Sequence, residues 1–316
     1  MKLKVSIVLV SVIITYFLQS CGSMTNQEIS DDGNLFTMDW GGYERQYLVH
    51  FPPKEQMNKA LPILFNIHGG GGTAKKTPSL TFGRFNDLAD KDGFIVVYPE
   101  GIDKNWNDGR ILEGERAWEE NIDDVGFIIA IIDQLKKDYM IDSGKIFTTG
   151  MSNGGFMSSR LICDRSDVFK GAAIVTATLS TNYLPKCNPT NPVAVMIMNG
   201  TDDKIVPYNG GEVEVFKKVR GKIISTDDYV DFWKNKNKCV DKLPTVTVPD
   251  IHNDGTSVSI DTYSNCELES ALVLYRIEGG GHTWPGGNQY LGEWLIGKTS
   301  QEINACDEIW AFFKDL

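Results

Sequence analysis

Three residue types that can together open an acyl bond occur in a fixed order along this chain. A serine lies in "GMSNGG" (150–155), two aspartates lie in "GTDDKIVPY" (200–208), and a histidine lies in "GGGHTWPGG" (279–287). A serine hydroxyl is a weak nucleophile at neutral pH. It needs a base to take its proton and an acid to orient that base. The G-x-S-x-G pentapeptide is a weak signal alone, since chance supplies it in roughly one chain in five of this length. The histidines narrow the choice. His50 ends an early strand, His252 lies in a late insertion, and His68 heads a glycine run that it is expected to prop. His282 follows a late core strand in a glycine-lined turn, which suits a general base. At this level either Asp202 or Asp203 can be its acid. Ser152 is the expected nucleophile, on a turn that glycines 150 and 154 allow to be sharp. Backbone N–H groups of Asn153 and of the run "HGGGGTA" are the expected oxyanion donors, with Gly70 first and Gly71 as alternate. For Asn153 only the backbone is asked for.

Such groups need elements that carry them to one place. "LPILFNI", "GFIVVYP", "KIFTTG", "GAAIVTA", "VAVMIMNG" and "ALVLYRIE" read as buried strands. Helical patterns alternate with them: "LTFGRFNDLADKD", "DDVGFIIAIIDQLKKDY", "GGFMSSRLIC", "STDDYVDFWKNKN" and "INACDEIWAFFKDL". "NLFTMDW" and "ERQYLVHFP" read as an opening hairpin, and residues 240–265 as a β insertion. Buried strands separated by helices imply an α/β class with a mostly parallel central sheet and helices on both faces. Ligands bind such sheets outside the strands' carboxyl ends, where Ser152, the aspartates, His282 and the His68 loop all fall. The order Ser…Asp…His is the one used by the α/β-hydrolase fold.

The first residues have a different character. "MKLK" followed by the apolar Val5–Leu18 run predicts a signal peptide over 1–20. Leu18-Gln19-Ser20-Cys21 resembles a lipobox, so Cys21 is the expected lipidation site and 21–33 a polar tether. An ordinary secretory signal or a short anchor is the simpler reading. Residues 34–316 are then expected to form a single catalytic domain on an exported protein. It would be an outer-membrane or cell-surface lipoprotein, or else secreted or periplasmic, touching membrane only through the N-terminal lipid.

Export permits disulfides. Cys163 with Cys187 and Cys239 with Cys266 are sequence neighbours, which leaves Cys306 over, although sequence alone does not fix connectivity. No Cys/His spacing suits a metal, and no cofactor is expected. The formal charge is −11, which disfavours nucleic acid as a partner. The densest basic run, "FKKVRGK" (216–222), reads as solvated surface. Gly69-x-Gly71-x-x-Ala74 also fits a dinucleotide pattern, but Pro78 opposes a helix there and Ser152 and His282 would stay unexplained.

Taken together, "LFNIHGGGG", "DDVGFI", "GMSNGGFM", "NGTDDKIVPY" and "GGGHTWPGG" resemble the polyhydroxybutyrate depolymerase/feruloyl esterase family of α/β-hydrolases, corresponding to family 1 carbohydrate esterases. The resemblance runs over 34–316. It implies a serine esterase, places the acid at Asp203, and implies the two cysteine pairs named above. It departs at the oxyanion stretch, where a plain glycine run stands in place of the side chain that many relatives carry after the first glycine. The expected substrates are feruloyl or acetyl esters on polysaccharide or oligosaccharide. Hydroxybutyrate polyester or its oligomers are the alternative, and a non-catalytic binding lipoprotein on the same scaffold is a further one. Trp106, Trp118, Trp284, Trp294, Tyr208 and Tyr290 fall in loops near strand ends. Trp284, Tyr208 and Trp118 are the expected substrate contacts, against a plainer reading in which Trp106 and Trp118 pack the loops.

Overall fold

Strands buried on both faces still alternate their side chains between two cores, and that alternation sets the layers. The structure is a computed structural model and describes residues 34–316; the expected signal segment, Cys21 and the tether lie outside the described residues. Among the described residues no helix is long and apolar enough to cross a membrane.

The chain opens with β1 (Asn34–Trp40) and β2 (Tyr43–His50), an antiparallel hairpin. It continues through β3 (Leu61–Ile67), α1 (Thr77–Leu80), α2 (Arg84–Asp92) and β4 (Ile95–Pro99). A long connection carrying α3 (Arg116–Glu119) leads to α4 (Asp124–Asp138), β5 (Ile141–Met151), α5 (Asn153–Asp164), β6 (Gly171–Val175) and β7 (Ala194–Gly200). A separate hairpin of β8 (Gly211–Val215) and β9 (Lys218–Ile223) precedes α6 (Thr226–Lys236). Then follow β10 (Asp241–Lys242), β11 (Val246–Thr247), β12 (Ser257–Ser264), β13 (Leu272–Glu278), α7 (Glu293–Ile296) and α8 (Ala305–Lys314).

The main sheet runs β1-β2-β4-β3-β5-β6-β7-β13-β12-β10, with β11 also on β12. Its centre, β4 to β13, is parallel, and both flanks are antiparallel. Ile63, Phe65 and Ile67 of β3 point to one core, which α4, α5 and α6 close with Ile131, Phe156 and Trp233. Leu64 points to the other, closed by Phe85 of α2 and Trp310 and Phe313 of α8. Asp123 caps α4 by accepting from the Gly126 N–H, and Ser225 caps α6 by accepting from the Asp228 N–H.

Three local expectations change. The helix expected over "LTFGRFNDLADKD" is interrupted, because Phe82 and Gly83 both adopt positive φ (52° and 74°) and α2 starts at Arg84. Trp118, expected in a loop, lies on α3. The basic run is mostly exposed, as expected, but it also forms the tip and second strand of the β8–β9 hairpin. Cys163–Cys187 and Cys239–Cys266 are disulfides, and Cys306 is an unpaired, buried thiol on α8. The first bridge ties the end of α5 to the segment before β7 across 24 residues. Replacing both Cys163 and Cys187 by Ser is expected to lower stability by about 2–4 kcal/mol. Urea unfolding of the purified double variant against wild type measures the loss.

Candidate active site

Ser152 stands between β5 and α5 at φ 57°, ψ −122°, a conformation that a side chain rarely adopts. Its N–H donates to Val175 O (3.0 Å) and its carbonyl accepts from Phe156 N–H (2.8 Å), so strand and helix hold the turn from both sides. The turn is tight because two neighbours lack a Cβ. A Cβ on Gly150 would sit 2.6 Å from Gly154 O, and one on Gly154 would sit 2.0 Å from Ile67 O. These glycines let α5 start directly against the end of β3.

His282 follows β13, and Asp203 follows β7, the next strand in the sheet. His282 Nδ1 donates to Asp203 Oδ2 (2.8 Å), and both side chains are nearly fully buried. Asp203 Oδ1 accepts the N–H groups of Ile205 and Val206, each at 2.8 Å, which fixes the carboxylate plane. Asp202 is exposed. With Nδ1 engaged by a carboxylate, Nε2 is the nitrogen free to accept a proton. Tyr290 Oη donates to His282 O (2.9 Å) and steadies the loop from the far side.

The glycine run after β3 lies against the serine turn. A Cβ on Gly69 would touch Ser152 Cβ at 3.7 Å, and one on Gly70 would approach Asn153 Cβ at 3.8 Å. Gly71 N–H donates to Lys104 O and Gly72 N–H to Gly69 O, so those two amides are spent on the loop. The Gly70 N–H has no partner among the described residues. His68 is buried beneath the run. Its Nε2 accepts the Gly101 N–H (3.0 Å), so Nδ1 carries the proton and donates to Gly69 O (2.8 Å). Burial pushes its pKa down to about 4, and the ring stays neutral. Segment 105–110 braces this arrangement. Trp106 Nε1 donates to His68 O, and Asn107 N–H donates to Asp124 Oδ2, whose carboxylate also pairs with buried Arg45. The Asn153 side chain, expected to be idle, is engaged on both its atoms by this segment.

Ser152, His282, Gly70 and Asn153 line one cavity of about 1040 Å3. Of the three aromatics expected to contact substrate, Trp284 lines it, buried and nearly perpendicular to the Phe85 ring. The other two are corrections. Tyr208 packs beneath with its hydroxyl between Arg276 and Asp227, and Trp118 sits half-buried on α3; neither borders the cavity. Trp106 is fully buried and Trp294 is exposed beside the rim. Tyr290 does border it. The wall that sequence reasoning missed is the β8–β9 hairpin, which contributes Val213, Phe216, Lys217 and Arg220. Its alternating "EVEV" was the available signal, but the turn that closes it is Phe216-Lys217, both at positive φ (50° and 64°), where Asn-Gly is the usual mark.

Comparison with known proteins narrows the class. A family profile, Peptidase S9, the prolyl oligopeptidase family, matches residues 88–184. "Putative esterase NocK" of Nocardia uniformis subsp. tsuyamanensis is 27% identical over 84% of this chain and 78% of that protein. Feruloyl esterase B of Piromyces equi is 29% identical over 75% of this chain, which spans only 42% of that longer protein. The acetyl xylan esterase from Aspergillus awamori superposes over 93% of this chain and 100% of its own, with a TM-score of 0.56 at 14% identity, a likeness of fold. The fold is that of the α/β-hydrolases, and the sequence is similar to those of feruloyl esterases. By class, this feruloyl esterase-like protein is a carboxylic ester hydrolase.

Two predictions follow from the site's construction. Gly154→Ala sets a Cβ 2.0 Å from the Ile67 carbonyl, so the serine turn must open. Ester turnover is expected to fall at least on the order of a hundredfold, read as kcat/KM on a soluble aryl ester. His68 binds a proton near the ordinary imidazole value of 6.5 when unfolded but only near 4 when folded. Its contribution is therefore full above 6.5, is lost as pH falls from 6.5 toward 4, and is flat below. The loss amounts to about 3 kcal/mol. His68→Gln should remove that slope from the difference in unfolding free energy measured across this pH range.

Proposed function

We propose that the protein is an exported serine esterase that releases feruloyl or acetyl groups from polysaccharide or oligosaccharide. The observation that carries this reading is the buried His282–Asp203 pair, facing the cavity that also holds the strained Ser152. In the proposed reaction Ser152 Oγ attacks the ester carbonyl while His282 Nε2 takes its proton. Asp203 steadies the resulting imidazolium, and the N–H groups of Gly70 and Asn153 receive the oxyanion. His282 returns the proton to the leaving alcohol. Water, deprotonated by the same nitrogen, then hydrolyses the acyl-serine and restores the enzyme. Leu112, Ile205, Val213, Phe216 and Leu291 give the cavity apolar walls suited to an aromatic acyl ring. Export is supported by the two disulfides and the apolar N-terminal run, and lipid attachment at Cys21 by the residues before it.

The test is a panel of methyl ferulate, acetylated xylan and hydroxybutyrate oligomers, run with variants. Ser152→Ala is expected to abolish turnover and labelling by a fluorophosphonate, and Asp203→Asn to lower kcat by about ten-thousand-fold. Asp202→Asn should stay within about twofold of wild type, since an exposed carboxylate contributes little. Unchanged ester cleavage by Ser152→Ala overturns the serine mechanism. A preference for hydroxybutyrate oligomers overturns the substrate assignment alone.

A further inference from the structure

Asp108 and Arg110 form an ion pair that the acyl-transfer steps do not use, and their side chains are 0% and 5% exposed. Asp108 Oδ2 receives Arg110 Nη2 (2.6 Å) and Nε (3.0 Å), and also Asn153 Nδ2 (2.6 Å). The remaining capacity of the Asn153 amide is spent on one residue: Oδ1 accepts the Trp106 N–H (2.8 Å) and Nδ2 also donates to Trp106 O (3.2 Å). Arg110 reaches outward as well. Its Nη1 donates to Arg220 O in β9 (3.1 Å), and its guanidinium lies 4.1 Å over the Phe156 ring of α5. The Arg220 side chain pairs with Glu115. Glu115 accepts from Asn105 Nδ2 (2.8 Å), and the other end of that amide lies 3.1 Å from where a Cβ on Gly70 would be. The contacts thus run from Asn153 through Asp108, Arg110, Arg220, Glu115 and Asn105 back to Gly70.

Stability alone does not call for such a pair. Well-packed apolar residues in place of a buried ion pair are commonly as stable or more so. What charge and hydrogen bonds add is direction. The two oxyanion donors come from different elements, the start of α5 and the loop after β3, so their separation must be held by something else. Donors serve only within tenths of an ångström of the developing oxyanion. Arginine is the one side chain whose planar fork can grip a carboxylate with two nitrogens and still send a third to a carbonyl on another element.

We propose that Arg110, acting through Asp108 and Asn153, is a positioning residue that sets the spacing of the Asn153 and Gly70 N–H groups and couples it to the seating of the β8–β9 hairpin. The proposal rests on the serine-esterase reading above. A group resting on the hairpin then acts on kcat through the donors and not on KM alone. The Asn153 side chain is also needed, contrary to the expectation from sequence that its backbone suffices.

The test uses the full chain, with active sites counted by stoichiometric fluorophosphonate labelling and folding checked by thermal unfolding. Arg110→Lys keeps the charge but cannot bridge both Asp108 and the Arg220 carbonyl. Asp108→Asn keeps the shape and loses the charge, and it carries the test where Arg110→Lys does not fold. Each is expected to lower kcat per titrated site on the order of tenfold or more with KM within about twofold, and Asn153→Ala to fall with them. An unchanged kcat per titrated site, with only the melting temperature or the titratable fraction reduced, overturns the proposal and leaves the pair a structural brace. Failure of the fluorophosphonate to label wild type sinks the serine mechanism itself, a separate outcome.

Discussion

Everything at the carboxyl edge of the sheet depends on how closely α5 can start against the end of β3. Two backbones approach there with no room for a Cβ at Gly154 and little at Gly150. That contact forces Ser152 into a left-handed conformation that costs on the order of 1–3 kcal/mol, and the surrounding strands hold it there. It also sets the Gly69–Gly70 backbone against Ser152 and Asn153. A looser turn would relax the serine but separate the two places where a developing oxyanion could find N–H groups. The strain and the proximity are one feature.

Around this contact, the buried His68, Asp124 and Asp203 each have defined partners. His68 is neutral because burial lowers its pKa to about 4, and its tautomer follows from the Gly101 N–H it accepts. Asp124 is pushed up by burial, yet it receives Arg45 and the Asn107 N–H. Asp203 spends one oxygen on two backbone amides and the other on His282. Such groups resist displacement because each misplacement strands a buried charge or dipole. The β8–β9 hairpin stands outside the main sheet, tied to this floor by the Ser180–Ile223 bridge, by the Glu214 N–H to Ile205 O and by Arg110, with Val213 and Ile223 reaching the core.

The legibility of the sequence divides along the same line. The core strands were readable because they are apolar runs ended by glycine. The serine turn was readable because glycines flank it, and His282 and the Asp202–Asp203 pair because each follows such a strand, while the choice of Asp203 came only with the family resemblance. What was not readable depends on contacts far apart in the chain. Asn153 and Asp108 are 45 residues apart, and Arg110 and Arg220 are 110 apart. No local period records that they meet. The hairpin was hidden for a local reason. Its two turn residues are Phe and Lys, which normally avoid positive φ, so its turn lacks the usual residues and its basic strand reads as surface. Tyr208 and Trp118 misled because closeness to a strand end in sequence does not say which way a ring points; Tyr208 turns inward to Arg276.

This division bears on how one fold serves many esters. The groups suited to chemistry are built from backbone and from residues at the ends of β5, β7 and β13, where the sheet leaves little freedom. The walls are built from loops and from a hairpin outside the sheet, where side chains such as Phe216 and Lys217 are exposed and change at small cost to stability. A wall wholly free to vary would decouple recognition from turnover. The Arg110 bridge is where the two parts meet: it leaves the hairpin free in composition while fixing where its base sits relative to α5. A change of substrate preference would therefore be best tolerated at the hairpin's tip and worst at its base, where Gly221 leaves only 3.1 Å between a Cβ and Arg110.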